Sequence, residues 1–258
     1  MIRLLCTDFD GTIFHESEGS SPISPRFLNL IRSLKSKGVQ WAISTGRDRH
    51  EVLATLHHCG IDVLPDFLST VERELYERKG DDYEPMQPWN QICQEVHRRL
   101  YEKIDSLLPP LEEWVKKNYS SSVLYCDDYS PLCFIARNNP DADRLLEEVE
   151  KHFAAVPEIS LVRNDVYARL AHVDYNKGTT LLELQRHLGI GPEEVCVAGD
   201  HYNDIPMLRR EVARYIVTPA NAIDRIKELV LAEGGYVSGL SSGAGIAEGV
   251  ERFLDGQF

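Results

Sequence analysis

The sequence has no apolar run approaching the roughly 18 residues that cross a bilayer, so it offers no spanning helix. It has no Cys-x-x-Cys pair, and its 6 cysteines follow no regular spacing. That pattern excludes a zinc ribbon and a disulfide framework, and the thiols are expected to be reduced core residues. It has no excess of basic charge and no basic run: 28 Lys and Arg stand against 41 Asp and Glu, a net charge of −13. A phosphate-tracking surface for nucleic acid or for an anionic membrane is therefore not expected. The first residues, Met1-Ile2-Arg3-Leu4-Leu5-Cys6, lack an apolar h-region and a small-residue cleavage site, so a cytoplasmic location is expected. There is no internal repeat.

What is present is a chain of 258 residues, long enough for one large domain or two of ordinary size. Its most informative stretch is Leu4-Leu5-Cys6-Thr7-Asp8-Phe9-Asp10-Gly11-Thr12. An apolar run reads as a buried strand and stops at two carboxylates one residue apart. Side chains alternate along a strand, so Asp8 and Asp10 share a side while Phe9 points away. Gly11 permits a tight turn. Acids at the carboxyl end of a parallel strand lie where open α/β sheets bind ligands. A lone Asp-x-Asp is equally compatible with a solvated turn.

The polar stretch from His15 to Ser24 reads as a loop, and Ser24-Pro25 opens a helix carrying Phe27, Leu30, Ile31 and Leu34. Val39 to Ile43 is the next strand, completing a βαβ unit and implying a parallel sheet. It ends in Ser44-Thr45-Gly46-Arg47, a hydroxyl, a glycine and an arginine before a helix, which suits an anion. Asp66 to Ser69 reads as a third strand. Gly80 to Pro85 then reads as a polar linker, followed by a long helix with Ile92, Val96, Leu100 and Ile104 spaced by four, a break at Pro109-Pro110, hairpins, and a helix capped by Asp141. Residues 80–172 are therefore expected to form an α+β domain inserted into a core of residues 1–79 and 173–258. The βαβ pattern resumes with Lys177 at a helix start. Val195 to Gly199 follows as a strand ending in Asp200-His201-Tyr202-Asn203-Asp204, with a helix expected at 205–210. The fold class is α/β, a Rossmann-like parallel sheet with an inserted α+β cap.

In a parallel sheet the carboxyl ends of strands share one edge, so Asp8, Asp10, Thr45, Lys177, Asp200 and Asp204 can meet. That set suits phosphoryl transfer. Carboxylates attract Mg²⁺, Thr45 and Lys177 can hold phosphoryl oxygens, Asp8 can attack phosphorus, and Asp10 can act as acid and base. Repulsion among the acids is itself an argument for a metal, and a metal would also reconcile an acidic chain with an anionic substrate.

Taken in order, Asp8-Phe9-Asp10-Gly11-Thr12, Ser44-Thr45-Gly46-Arg47, Lys177 and Gly199-Asp200-x-x-Asn203-Asp204 resemble the four motifs of the haloacid dehalogenase superfamily. The second Asp resembles its phosphatases, and a cap between motifs two and three resembles the Cof-type and sucrose-phosphatase-like branch, whose members mostly act on small phosphate esters. The resemblance implies Asp8 as nucleophile and Mg²⁺ ligand, and Asp10 as general acid/base with its carbonyl on the metal. Thr45, Gly46 and Lys177 would bind the phosphoryl group, Asp200 would be a further ligand, and Asn203 and Asp204 would support the site. Asp204 would act as a ligand through water or through Lys177. Arg47 would reach substrate or pair with an acid. The implied activity is hydrolysis of a small phosphate monoester, a sugar phosphate being expected, by a monomer or weak homo-oligomer. A phosphomutase and a non-catalytic sugar-phosphate sensor are the alternatives. Two departures stand out. His201 and Tyr202 are bulky where small residues are frequent; they would narrow the pocket or pack, with packing expected. Ser69-Thr70-Val71-Glu72 stands where many relatives have Asn-Gly; Glu72 is a candidate substrate contact, with a solvated hairpin acid the expectation.

Overall fold

A computed structural model describes residues 1–15 and 21–256; residues 16–20, within the stretch read as a loop, lie outside the described residues. The chain forms two compact units, residues 1–87 with 177–258, and residues 88–176. The first unit begins with β1 (Leu4–Thr7), α1 (Pro25–Ser36), β2 (Gln40–Ser44), α2 (Arg49–His58), β3 (Phe67–Thr70), β4 (Glu74–Lys79) and β5 (Asp82–Pro85). The second contains α3 (Trp89–Ile104), α4 (Leu108–Asn118), β6 (Val123–Tyr125), β7 (Cys133–Ile135), α5 (Asn139–His152), β8 (Ile159–Asn164) and β9 (Tyr167–His172). The first then resumes with α6 (Lys177–Leu188), β10 (Val195–Ala198), β11 (Tyr215–Thr218), α7 (Asp224–Ala232), β12 (Tyr236–Val237) and α8 (Ser242–Leu254).

The first unit is built on an eight-stranded sheet in the order β12-β11-β10-β1-β2-β3-β4-β5. All pairs from β12 to β3 are parallel, and β4 and β5 add an antiparallel edge. β1, β3 and β10 are buried at every residue, as parallel strands covered on both faces must be. Chain order reverses between β1 and β10, which makes the crevice at their carboxyl ends the expected ligand site. α1 starts with Pro25 at its first position and buries Phe27, Leu30, Ile31 and Leu34. α2 is fixed by a capping box in which the Asp48 side chain accepts from the Glu51 N–H and the Glu51 side chain from the Asp48 N–H.

The structure corrects several expectations. Gly80 to Pro85 is not a linker: Asp82–Pro85 forms β5 and pairs with β4, because turn residues at 80–81 close a hairpin whose Tyr83 is buried in the core. This hairpin carries the first unit to residue 87. Residues 205–210 form turns rather than a helix. Asn138, not Asp141, caps α5; its side chain accepts from the Asp141 N–H. Cys126 is exposed, although all six cysteines are free.

In the second unit the antiparallel sheet β6-β7-β9-β8 covers a core with Leu100, Leu111, Phe134, Leu145 and Leu170. α3 buries Cys93, His97, Leu100 and Ile104, while Ile92 is exposed, so the inward stripe is displaced from the four-residue spacing of the apolar residues. Pro109 and Pro110 stand in the first turn of α4 and start a helix. No helix among the described residues is long and apolar enough to cross a membrane.

Candidate active site

Asp8 extends β1 by one rung, its N–H donating to Ala198 O at 2.8 Å. Its carboxylate therefore emerges at the switch point. Lys177, the first residue of α6, is wholly buried and donates through Nζ to Asp8 Oδ1 (2.6 Å) and Asp204 Oδ1 (2.7 Å). Asp204 is also wholly buried, and its Oδ2 accepts from the backbone N–H groups of Asp200 (2.8 Å) and His201 (2.9 Å). This fold-back requires Gly199, where a Cβ would lie 2.5 Å from Asp204 Cγ. Gly11 has φ of 78°, and a Cβ there would meet Asp200 Oδ2 at 2.4 Å. The Thr12 hydroxyl lies 2.6 Å from Asp200 Oδ1 and 3.0 Å from Asp8 Oδ2, and its single proton serves one of them at a time.

Carboxylate oxygens of Asp8, Asp200 and Asp204 lie within 4.8 Å of one another. Burial, reinforced by the charge of Asp204, pushes Asp8 well above the usual carboxylate range, with Lys177 opposing. Burial and then Asp204 push Asp200 up to about 6. Burial alone would lower Lys177; the charges of Asp204, Asp8 and Glu72 offset that and hold it up, so it is protonated. One lysine thus faces more acid than it neutralises. An all-oxygen set with surplus negative charge fits a hard divalent cation, whose charge favours the ionised form of each acid. Asp8 and Asp200 have more spare acceptor capacity than Asp204, which already serves Lys177 and two N–H groups.

Asp10 stands apart from that cluster. Its oxygens accept from Arg47 Nε (2.9 Å) and Nη2 (2.6 Å), a bidentate pair. Arg47 also donates to Thr55 Oγ1 at 2.8 Å and lies over the stacked rings of Phe9 and Phe14. Of the two roles open to Arg47, the geometry is that of pairing with an acid. Thr45 is buried; its hydroxyl accepts from the Arg47 N–H (3.1 Å) and its carbonyl from the Glu72 N–H (3.0 Å).

Glu72 is not a solvated acid. It is 4% exposed, and its Oε1 accepts from Asn203 Nδ2 at 2.8 Å. The same Oε1 would lie 3.1 Å from a Cβ at Gly46. The turn that carries it has φ of 44° at Val71 and 65° at Glu72, conformations that cost about 1–3 kcal/mol each away from glycine. The sequence offered Glu72 as a candidate contact but favoured a solvated acid, and it gave Thr12 no role. The available signal for Glu72 was the absence of Asn-Gly at a turn that still needs positive φ. His201 and Tyr202 meet edge to face, with ring centroids 5.0 Å apart.

The profile of the haloacid dehalogenase-like hydrolases matches residues 5–70 and 109–244, most of the chain. The chain belongs to this family. A phosphoglycolate phosphatase of Methanoculleus marisnigri is 26% identical over 98% of this chain and 97% of its own. An Escherichia coli 5-amino-6-(5-phospho-D-ribitylamino)uracil phosphatase is 22% identical over 98% and 96%. A Synechocystis sucrose-phosphatase, solved with sucrose and phosphate, shares the fold with a TM-score of 0.73 and 21% identity, covering 98% of this chain and 99% of that one. This haloacid dehalogenase-like hydrolase is a phosphoric monoester hydrolase.

Proposed function

We propose that the chain is a Mg²⁺-dependent phosphatase acting on a small phosphate monoester, with a sugar phosphate as the expected class, through an aspartyl-phosphate on Asp8. The observation that carries the reading is the Asp8–Lys177–Asp204 chain, buried beside Asp200 at the sheet's switch point. Asp8, Asp200 and the Asp10 carbonyl would hold the metal. Bound Mg²⁺ supplies charge neutralisation to the phosphoryl oxygens.

Lys177 holds the Asp8 carboxylate and, with the Thr45 hydroxyl and the backbone at Gly46, orients the phosphoryl group. An Asp8 oxygen attacks phosphorus as the ester P–O bond breaks, and Asp10 donates a proton to the departing alcohol oxygen. Asp10 then accepts a proton from the water that attacks the phosphorus of the acyl phosphate, releasing phosphate and free Asp8. Both Asp10 oxygens accept from Arg47, so Arg47 releases one of them when Asp10 carries the proton and holds the carboxylate again once the proton has gone. Residues 88–176 are read as the cap that selects the leaving group. We infer a cytoplasmic enzyme, a monomer or weak homo-oligomer. The relatives named above support a small ester, since each is named for one.

Phosphate release from sugar phosphates, phosphoglycolate, nucleotides and an aryl phosphate, with and without Mg²⁺, tests the reading. Mg²⁺-dependent release is expected, and Asp8→Asn should abolish it while leaving the circular dichroism spectrum intact. Turnover of Asp8→Asn near the parent level would refute the mechanism. Isomerisation of a hexose phosphate without phosphate release would favour the mutase.

A further inference from the structure

Val71 and Glu72 are consecutive non-glycine residues at positive φ, the one such pair among the described residues. The Arg73 N–H donates to Thr70 O at 3.0 Å and closes the turn. Positive φ at both central positions is the geometry that Asn-Gly serves without strain. The chain instead keeps an acid at the second position and buries it.

Asn203 is 6% exposed. A carboxylate only accepts hydrogen bonds, so the Asn203 amide must turn its Nδ2 toward Glu72. Its Oδ1 is buried with no hydrogen-bond partner. The pair therefore holds an unpartnered acceptor beside Glu72, whose Oε1 packs against the Thr45–Gly46 turn. An acceptor calls for a donor such as a hydroxyl, and a second carboxylate on the ligand donates nothing. The charge of Glu72 also reaches Lys177, which lies among the proposed phosphoryl-binding groups.

We propose that Glu72 is a specificity-determining residue. It fixes Asn203 as an acceptor and adds its own charge, so the site selects phosphate esters whose leaving group carries hydroxyls and rejects those carrying a second anion. This rests on the phosphatase reading above and names the leaving group that reading leaves open. A unit charge several ångströms away is worth roughly a hundredfold at an effective dielectric of ~20, and Lys177 screens part of it, so about tenfold is expected.

The test compares phosphoglycolate with glycerol phosphate, esters of similar size that differ in carrying a carboxylate or hydroxyls. The ratio of their kcat/KM values is measured for the parent, Glu72→Gln and Glu72→Gly. Glycine suits the positive φ and so guards against a variant that fails to fold. Both variants should shift the ratio about tenfold toward phosphoglycolate. A ratio within about twofold of the parent's in both variants, even if both esters are turned over more slowly, would overturn the proposal, because a merely structural role lowers both alike. If the parent hydrolyses neither ester, the phosphatase reading is still decided by the wider panel of esters named above. The two dissociation constants, measured by calorimetry free of turnover, then carry the same comparison with the same two outcomes.

Discussion

Replacing Lys177 by Met removes one charge from the buried cluster that it forms with Asp8, Asp200 and Asp204. Lys177 is wholly buried, and Nζ lies 2.6 Å from Asp8 and 2.7 Å from Asp204. Methionine fills most of the same volume, so the loss is mainly electrostatic. Removing one partner of a buried ion pair costs about 3–5 kcal/mol, because the remaining charge is left in a poorly solvating interior. At this chain length each kcal/mol moves the melting temperature by about 2–4 °C, so a fall of roughly 6–20 °C is expected near neutral pH. The fall should shrink in acid. With the lysine gone, Asp8 and Asp200 bind protons more tightly in the folded than in the unfolded state, so stability rises as pH drops. Mg²⁺ should also restore part of it by supplying positive charge. Differential scanning calorimetry of the first unit's transition, at neutral and mildly acidic pH with and without Mg²⁺, reads all three. A fall of less than about 2 °C at neutral pH, or one that deepens in acid, would refute the view that Lys177 holds the acid cluster together.

Two further outcomes follow from the same site. In the metal-free protein Asp200 is raised from 3.8 to about 6, so its contribution to stability is fully present below the lower value and is lost as pH rises through the upper. Mg²⁺ competes with that proton, so its affinity should weaken about tenfold per pH unit below the raised value. A Mg²⁺ titration that is flat across that range would exclude Asp200 as a ligand. Gly199→Ala places a Cβ against Asp204 and should destabilise by about 1–3 kcal/mol in urea unfolding and lower phosphate release more than tenfold; parental values would show that Asp204 can move without consequence.

The parallel core was legible because its signals are local. The apolar run before Asp8 and the Ser24-Pro25 helix start each need only neighbouring residues. Once strand, helix and strand alternate, a right-handed crossover brings Asp8, Lys177 and Asp200 to one edge, although they are far apart in sequence. The β4–β5 hairpin was not legible, since its polar residues read as a linker until β3 offers them an edge. The inward face of α3 and the lack of a helix at 205–210 depend on what packs against them, which periodicity does not reveal. The pairing of Asp10 with Arg47, and the burial of Glu72 against Asn203, were decided by tertiary structure alone. Sequence determines which groups a strand end carries. Which of them lose water and which acquire a partner depends on side chains brought in from distant elements, and burial sets the strength of every charge among them.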